Sequence, residues 1–239
     1  MRGAFLAAGL ALLAGCTGGE AREERVTVYA AASLTEVFEE LAPGARFNFA
    51  GSDELATQIR EGARADVYAA ASPRHPRELH DEGLVGAPRV FARNRLAIVV
   101  PARNPARIES LGDLGRAGVK LVVGAEGVPI GDYTRAVLHA AGRDDVLERV
   151  VSEEEDVKGV VGKVRLGEAD AGLAYVTDAR AAGRDVRAIE LPRSVQADVR
   201  YTAAVVRAGE RPARAREFVE LLRSARGQRL LRRAGFAPP

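Results

Sequence analysis

Four junctions between short apolar runs and helix-period segments carry small or hydrogen-bonding residues in positions suited to binding. They are Ala31-Ala32-Ser33-Leu34, Ala50-Gly51-Ser52-Asp53, Gly127-Val128-Pro129-Ile130-Gly131-Asp132 and Glu155-Asp156-Val157. Each reads as a strand end feeding a helix, with Ser33 expected at a cap. A helix N-terminus presents unpaired N–H groups and a partial positive charge, so four aimed at one point make an anion site. Serine hydroxyls add donors without adding charge. Capping alone, which Ser and Asp perform in any fold, also explains each junction taken singly. Recurrence of the pattern along both halves of the chain favours a ligand. Catalysis needs acids, bases or nucleophiles held together, and no histidine lies near Ser33 or Ser52 in sequence. His75 and His80 fall in the polar stretch Pro73–Glu82 with no cysteine or paired carboxylate at ligand spacing, which reads as surface histidine rather than a zinc site. The acidic run Glu153-Glu154-Glu155-Asp156 reads as a solvated loop.

The elements that must position these junctions follow from periodicity. Strands are predicted at Arg25–Ala30, Arg46–Ala50, Ala65–Ala70, Arg95–Val100, Lys120–Gly124, Ala171–Tyr175, Val186–Glu190 and Val199–Arg207. Helices are predicted at Leu34–Leu41, Asp53–Glu61, Pro76–Glu82, Leu111–Leu114, Ile130–Ala141, Val157–Leu166, Ala213–Arg223 and Gly227–Arg233. Alternation of this kind means mainly parallel sheets flanked by helices, an α/β chain. A break near Pro101 and Pro105 divides it into two lobes, 25–100 plus 196–239 and 101–195. Two hinge crossovers, near Val99–Arg103 and Leu191–Val199, give a clamshell. In open α/β sheets ligands bind at the carboxyl ends of strands, where the four junctions would converge.

The N-terminus has a different character. Arg2 precedes an apolar run from Ala4 to Ala14, the layout of a secretory signal over residues 1–15, and the run is too short to span a bilayer as a helix. Leu13-Ala14-Gly15-Cys16 resembles a bacterial lipobox, which implies cleavage before Cys16 and a lipid on its sulfur; an ordinary signal with an incidental cysteine is the alternative. Thr17–Glu24 is small and charged, so residues 16–24 read as a flexible tether. The chain is expected to work outside the cytoplasm, held to a membrane surface by the anchor. Cys16 is the single cysteine, so no internal disulfide forms. With 35 basic and 33 acidic residues spread along the chain, no clustered basic face marks a nucleic-acid partner.

Longer stretches resemble a family. Tyr29-Ala30-Ala31-Ala32-Ser33-Leu34-Thr35 is similar to the opening strand and helix of the molybdate-binding proteins of ABC importers. The same holds for Phe47–Ser52 with Leu55–Ile59 and Gly62–Val67, for Val128–Thr134, for Gly167–Tyr175 and for the tail from Gly227 to Phe236. The resemblance implies a two-lobed periplasmic-binding-protein fold of type II, a monomer without a cofactor. It implies a molybdate ligand, with tungstate accepted too, and the membrane subunits of an ABC permease as partners. It also implies a neutral site: hydroxyls and N–H groups of Ser33 and Ser52, backbone N–H groups of Ile130 and Val157, and the phenol of Tyr175. Such bonds to an ion are worth roughly 1.5–3 kcal/mol each in a dry site. Less association costs, five leave about −8 to −11 kcal/mol. With no ion pair to screen, salt should matter little. Ile130 stands where the family has a small alanine, so its bulk narrows the pocket. Asp53 and Asp156 stand where neutral residues are common; each is an N-cap turned away or a carboxylate ligand to the metal. Sulfate or phosphate, and an enzyme of the same architecture, are the other readings the residues leave open.

Overall fold

A computed structural model describes residues 25–239; the expected signal (1–15), tether (16–24) and lipid-bearing Cys16 lie outside the described residues. The apolar runs become strands of two five-stranded sheets. The first contains β1 (Thr27–Ala31), β2 (Arg46–Ala50), β3 (Val67–Ala70), β4 (Arg89–Asn94) and β10 (Val199–Val205), in the order β2-β1-β3-β10-β4. The second contains β5 (Leu96–Pro101), β6 (Leu121–Gly124), β7 (Val150–Glu154), β8 (Ala171–Tyr175) and β9 (Val186–Glu190), in the order β7-β6-β8-β5-β9.

The two sheets repeat one plan. Three strands run parallel, β2-β1-β3 in one and β7-β6-β8 in the other. The fourth is reversed: β10 is antiparallel to β3 and β4, and β5 to β8 and β9. Both reversed strands follow directly on a passage of the chain from one sheet to the other. The sheets are therefore mixed, and the two-lobed α/β architecture is present.

One boundary moves. Leu96–Pro101 is a buried strand as its composition suggests, but it pairs with β8 and β9 and belongs to the second sheet, not to the first. The chain thus changes sheets at Arg95, upstream of the Val99–Arg103 crossover expected from the prolines. Continuous burial does not reveal which sheet a strand joins, because a strand covered on both faces reads the same in either. The return passage runs from Glu190, the end of β9, to Val199, the start of β10.

Helices α1 (Thr35–Leu41), α2 (Ser52–Arg60), α3 (Arg74–Asp81), α7 (Pro212–Arg223) and α8 (Ala225–Ala234) pack with the first sheet, and α4 (Pro129–Ala140), α5 (Val157–Arg165) and α6 (Val176–Ala181) with the second. Phe38 of α1 anchors the first core: its ring meets Phe218 of α7 edge-on at 5.3 Å and lies 6.1 Å from Phe47 and from Phe91. Among the described residues no helix is long and apolar enough to cross a membrane.

Two local expectations are corrected. The acidic run is no free loop: Glu153 and Glu154 end the edge strand β7, where Arg135 donates to Glu153 at 2.6 Å and the Ser152 hydroxyl to Glu154 at 2.6 Å. Charges on an exposed edge suit a strand that must not pair further. His75 is buried instead of lying on the surface, because the first turn of α3 abuts the loop that precedes α4 in the second lobe. Its Nε2 donates to the Gly127 carbonyl at 3.2 Å.

Candidate oxyanion site between the two sheets

The carboxyl ends of β1, β2, β3, β6, β7 and β8 and the helix starts beyond them converge on one small cavity. Ser33, Ser52, Ile130, Val157 and Tyr175 all line it, with Ala31, Ala32, Ala50, Gly51, Ala71, Val128, Pro129 and Asp156. The cavity has a volume of about 20 Å³, room for a small, near-spherical guest. That fits a tetrahedral oxyanion and leaves no room for a nucleotide or a sugar. No lysine or arginine lines the cavity.

The serines sit differently from the capping expectation. Ser33 lies within a 3₁₀ turn, Ala32–Leu34, and neither this turn nor α1 has a side-chain cap. The N-cap of α2 is Gly51, and Ser52 is the first helical residue. Instead, the Ser52 hydroxyl accepts from the Ala71 N–H at 3.1 Å, and its carbonyl accepts from the buried Tyr68 phenol at 2.5 Å. Ile130 and Val157 open α4 and α5, so helix geometry leaves their N–H groups without an intrahelical acceptor. The Tyr175 phenol, 1% exposed, has no hydrogen-bond partner among the described residues. Burial, together with Tyr201 and Tyr133, pushes its pKa well above that of an ordinary tyrosine. It is a neutral donor.

The two aspartates separate. Asp156 is the true cap: its Oδ1 accepts from the Gly159 N–H of α5 at 2.9 Å. Asp53 is not among the residues lining the cavity, and no group of three or more His, Cys, Asp or Glu among the described residues could hold a metal ion. Ile130 narrows the cavity less than its volume suggests, because its Cγ2 packs over Gly124, where a methyl group would stand only 2.6 Å away.

A family model for bacterial extracellular solute-binding proteins matches residues 26–237. The chain belongs to that family. The molybdate-binding protein ModA of Mycobacterium tuberculosis is 40% identical over 224 residues, covering 90% of this chain and 85% of the relative. The periplasmic molybdate-binding protein of Azotobacter vinelandii superposes with a TM-score of 0.80 at 19% identity, over 90% of this chain and all of the other. The sulfate-binding protein SubI of Mycobacterium tuberculosis superposes with a TM-score of 0.76 at 18% identity, over 90% and 86%. At these identities the superpositions speak for the fold.

In this solute-binding protein, polar contacts that the junction pattern did not foretell surround the cavity. On one rim Lys158, next to Val157, donates to Glu36 of α1 at 2.5 Å and lies 3.6 Å from Asp178. On the other, Arg74 of α3 donates to Asp132 of α4 at 2.9 Å, beside the bond from His75 to Gly127. Both pairs tie one lobe to the other. Beneath the site, the Ser33 and Tyr201 hydroxyls are 2.8 Å apart, and Asn94 donates to Thr177 at 2.9 Å across the lobes. Burial raises the Asp178 carboxyl to about 7, against the pull of Lys158. A single tyrosine in an apolar strand, such as Tyr201, carries no signal in sequence beyond its own hydroxyl.

Proposed function

We propose that this chain captures molybdate, and tungstate as well, outside the cytoplasm and delivers it to the membrane subunits of an ABC permease. It acts as a monomer tethered through a lipid on Cys16, and it closes its lobes around the ion by bending at Arg95 and in the segment between Glu190 and Val199. The observation that carries this reading is the cavity itself: neutral donors from both lobes converge on a space of oxyanion size, and the buried Tyr175 phenol there has no hydrogen-bond partner among the described residues. The molybdate-binding relatives point to the same ligand. An enzyme is disfavoured by the same lining, in which no histidine, lysine or cysteine stands to activate Ser33 or Ser52 and the one carboxylate is engaged as a helix cap.

Calorimetric titration of the full chain with molybdate, tungstate, sulfate and phosphate tests the reading. Molybdate and tungstate should bind with micromolar to tens-of-nanomolar dissociation constants, about −8 to −11 kcal/mol, and sulfate and phosphate far more weakly. Preference for sulfate or phosphate, or no binding of any of the four, would refute it.

A further inference from the structure

We infer that Tyr201 and Asn94 fix the direction of the Ser33 hydroxyl, so that Ser33 can only donate to the ligand and the cavity selects against an anion that carries a proton. The inference rests on the oxyanion reading above. Tyr201 is a fully buried residue of β10, and its phenol oxygen lies 2.8 Å from Ser33 Oγ. One hydroxyl must donate to the other. The neighbouring Asn94 decides which.

The Arg95 N–H donates to Asn94 Oδ1 at 2.9 Å, which sets the orientation of the amide. Asn94 Nδ2 then donates to Thr177 Oγ1 at 2.9 Å and faces the Tyr201 oxygen at 3.5 Å. Tyr201 thus meets a donor on one side and, among the described residues, Ser33 Oγ as the acceptor on the other. Its proton goes to Ser33. The reverse arrangement would leave a buried phenol proton without an acceptor, which folded proteins avoid. Burial and the nearby Asp178 also keep Tyr201 protonated.

The Ser33 proton is then free for the cavity. Ser52 is set the same way, since the Ala71 N–H already donates to its oxygen, and the Tyr175 phenol has no competing partner among the described residues. Three hydroxyls present protons inward. A fully ionised tetrahedral dianion accepts at every oxygen, whereas hydrogen phosphate brings a proton of its own. Asp156, the one carboxylate lining the cavity, is engaged by the Gly159 N–H. Tyr201 and Asn94 are therefore positioning residues for specificity, acting through Ser33 without touching the ligand.

A double-mutant cycle tests this, with molybdate and phosphate titrated calorimetrically into the full chain as wild type, Tyr201→Phe, Ser33→Ala and the double variant. Tyr201→Phe should weaken molybdate binding about tenfold, reduce the molybdate-to-phosphate ratio, and add less than about twofold to the loss in Ser33→Ala. Losses that multiply in the double variant, or an unchanged ratio in Tyr201→Phe, would overturn the inference. Should Tyr201→Phe not fold, Asn94→Leu removes the donor behind the phenol, and the same cycle reads the same way. A wild-type chain that binds neither ion would contradict the oxyanion reading and this inference together.

Discussion

A serine that caps a helix commits its oxygen to a backbone N–H two or three residues on. Ser33 and Ser52 make no such bond, so their hydroxyls remain available at the cavity, and Asp156 alone among the junction residues performs the capping role in α5. Ser33→Ala and Ser52→Ala should each cost roughly 1–3 kcal/mol of molybdate binding, a bond to an ion lost in a dry pocket, measurable by titration. Asp156→Asn should leave affinity near wild type, because asparagine caps as well as aspartate; abolished binding would mean that the carboxylate meets the ligand. Asp178 governs stability in another way. Its carboxyl titrates near 7 in the fold, by burial, against 3.8 as a free side chain. The folded state therefore holds this proton more tightly than the unfolded state, and the contribution to stability, full below about pH 4, is lost as pH rises through 7. Asp178→Asn mimics the protonated form. The melting temperature of the variant relative to wild type should rise between pH 5 and pH 8, and a constant difference would count against the assignment.

At the level of elements, the strand–helix junctions were legible because small residues, a serine and a change of period coincide there. Four of the five proposed donors come from those junctions and Tyr175 from the family resemblance alone, and all five line one cavity. Other elements left weaker traces. Strand β4 was missed since its sequence, Arg89–Asn94, mixes arginine and asparagine with Val90 and Phe91, and α6 because it follows β8 without a turn signal. The contacts that join the lobes depend on long-range placement: Glu36 and Lys158 are far apart in sequence, as are Arg74 and Asp132. Gly51 is a case where a junction residue has a role only the fold exposes. A methyl group there would stand 2.5 Å from the Glu155 carbonyl of the opposite lobe and 2.8 Å from Asp53 Oδ1. Gly51→Ala should force the start of α5 away from α2, pulling the Val157 N–H off the ion. The expected loss is about 1–3 kcal/mol of molybdate affinity with the melting temperature of the ligand-free protein little changed. An affinity equal to wild type would show that the lobes need no such close approach.

Across the whole molecule, a cavity whose proposed donors are neutral is enclosed between two rims that are charged. The donors proposed for the ion carry no net charge, yet the Lys158–Glu36 and Arg74–Asp132 pairs bridge the lobes on either side. These pairs are partly exposed, so each is worth about 0–1 kcal/mol and is screened by salt. The salt-insensitivity expected from the cavity alone is therefore modified. Raising ionic strength should weaken molybdate binding by no more than about tenfold, and the combined Glu36→Gln and Asp132→Asn variant should lose that dependence. A steep salt dependence persisting in the variant would point to a charged group at the ion itself. The central claim is that a tetrahedral dianion is held between the lobes by neutral donors alone, and the most direct measurement is a crystal structure grown with molybdate, using the anomalous signal of molybdenum. The account predicts one strong peak in the cavity, with the ion's oxygens within hydrogen-bonding distance of Ser33, Ser52, Tyr175 and the N–H groups of Ile130 and Val157. A peak elsewhere, or molybdenum bonded directly to Asp53 or Asp156, would contradict it.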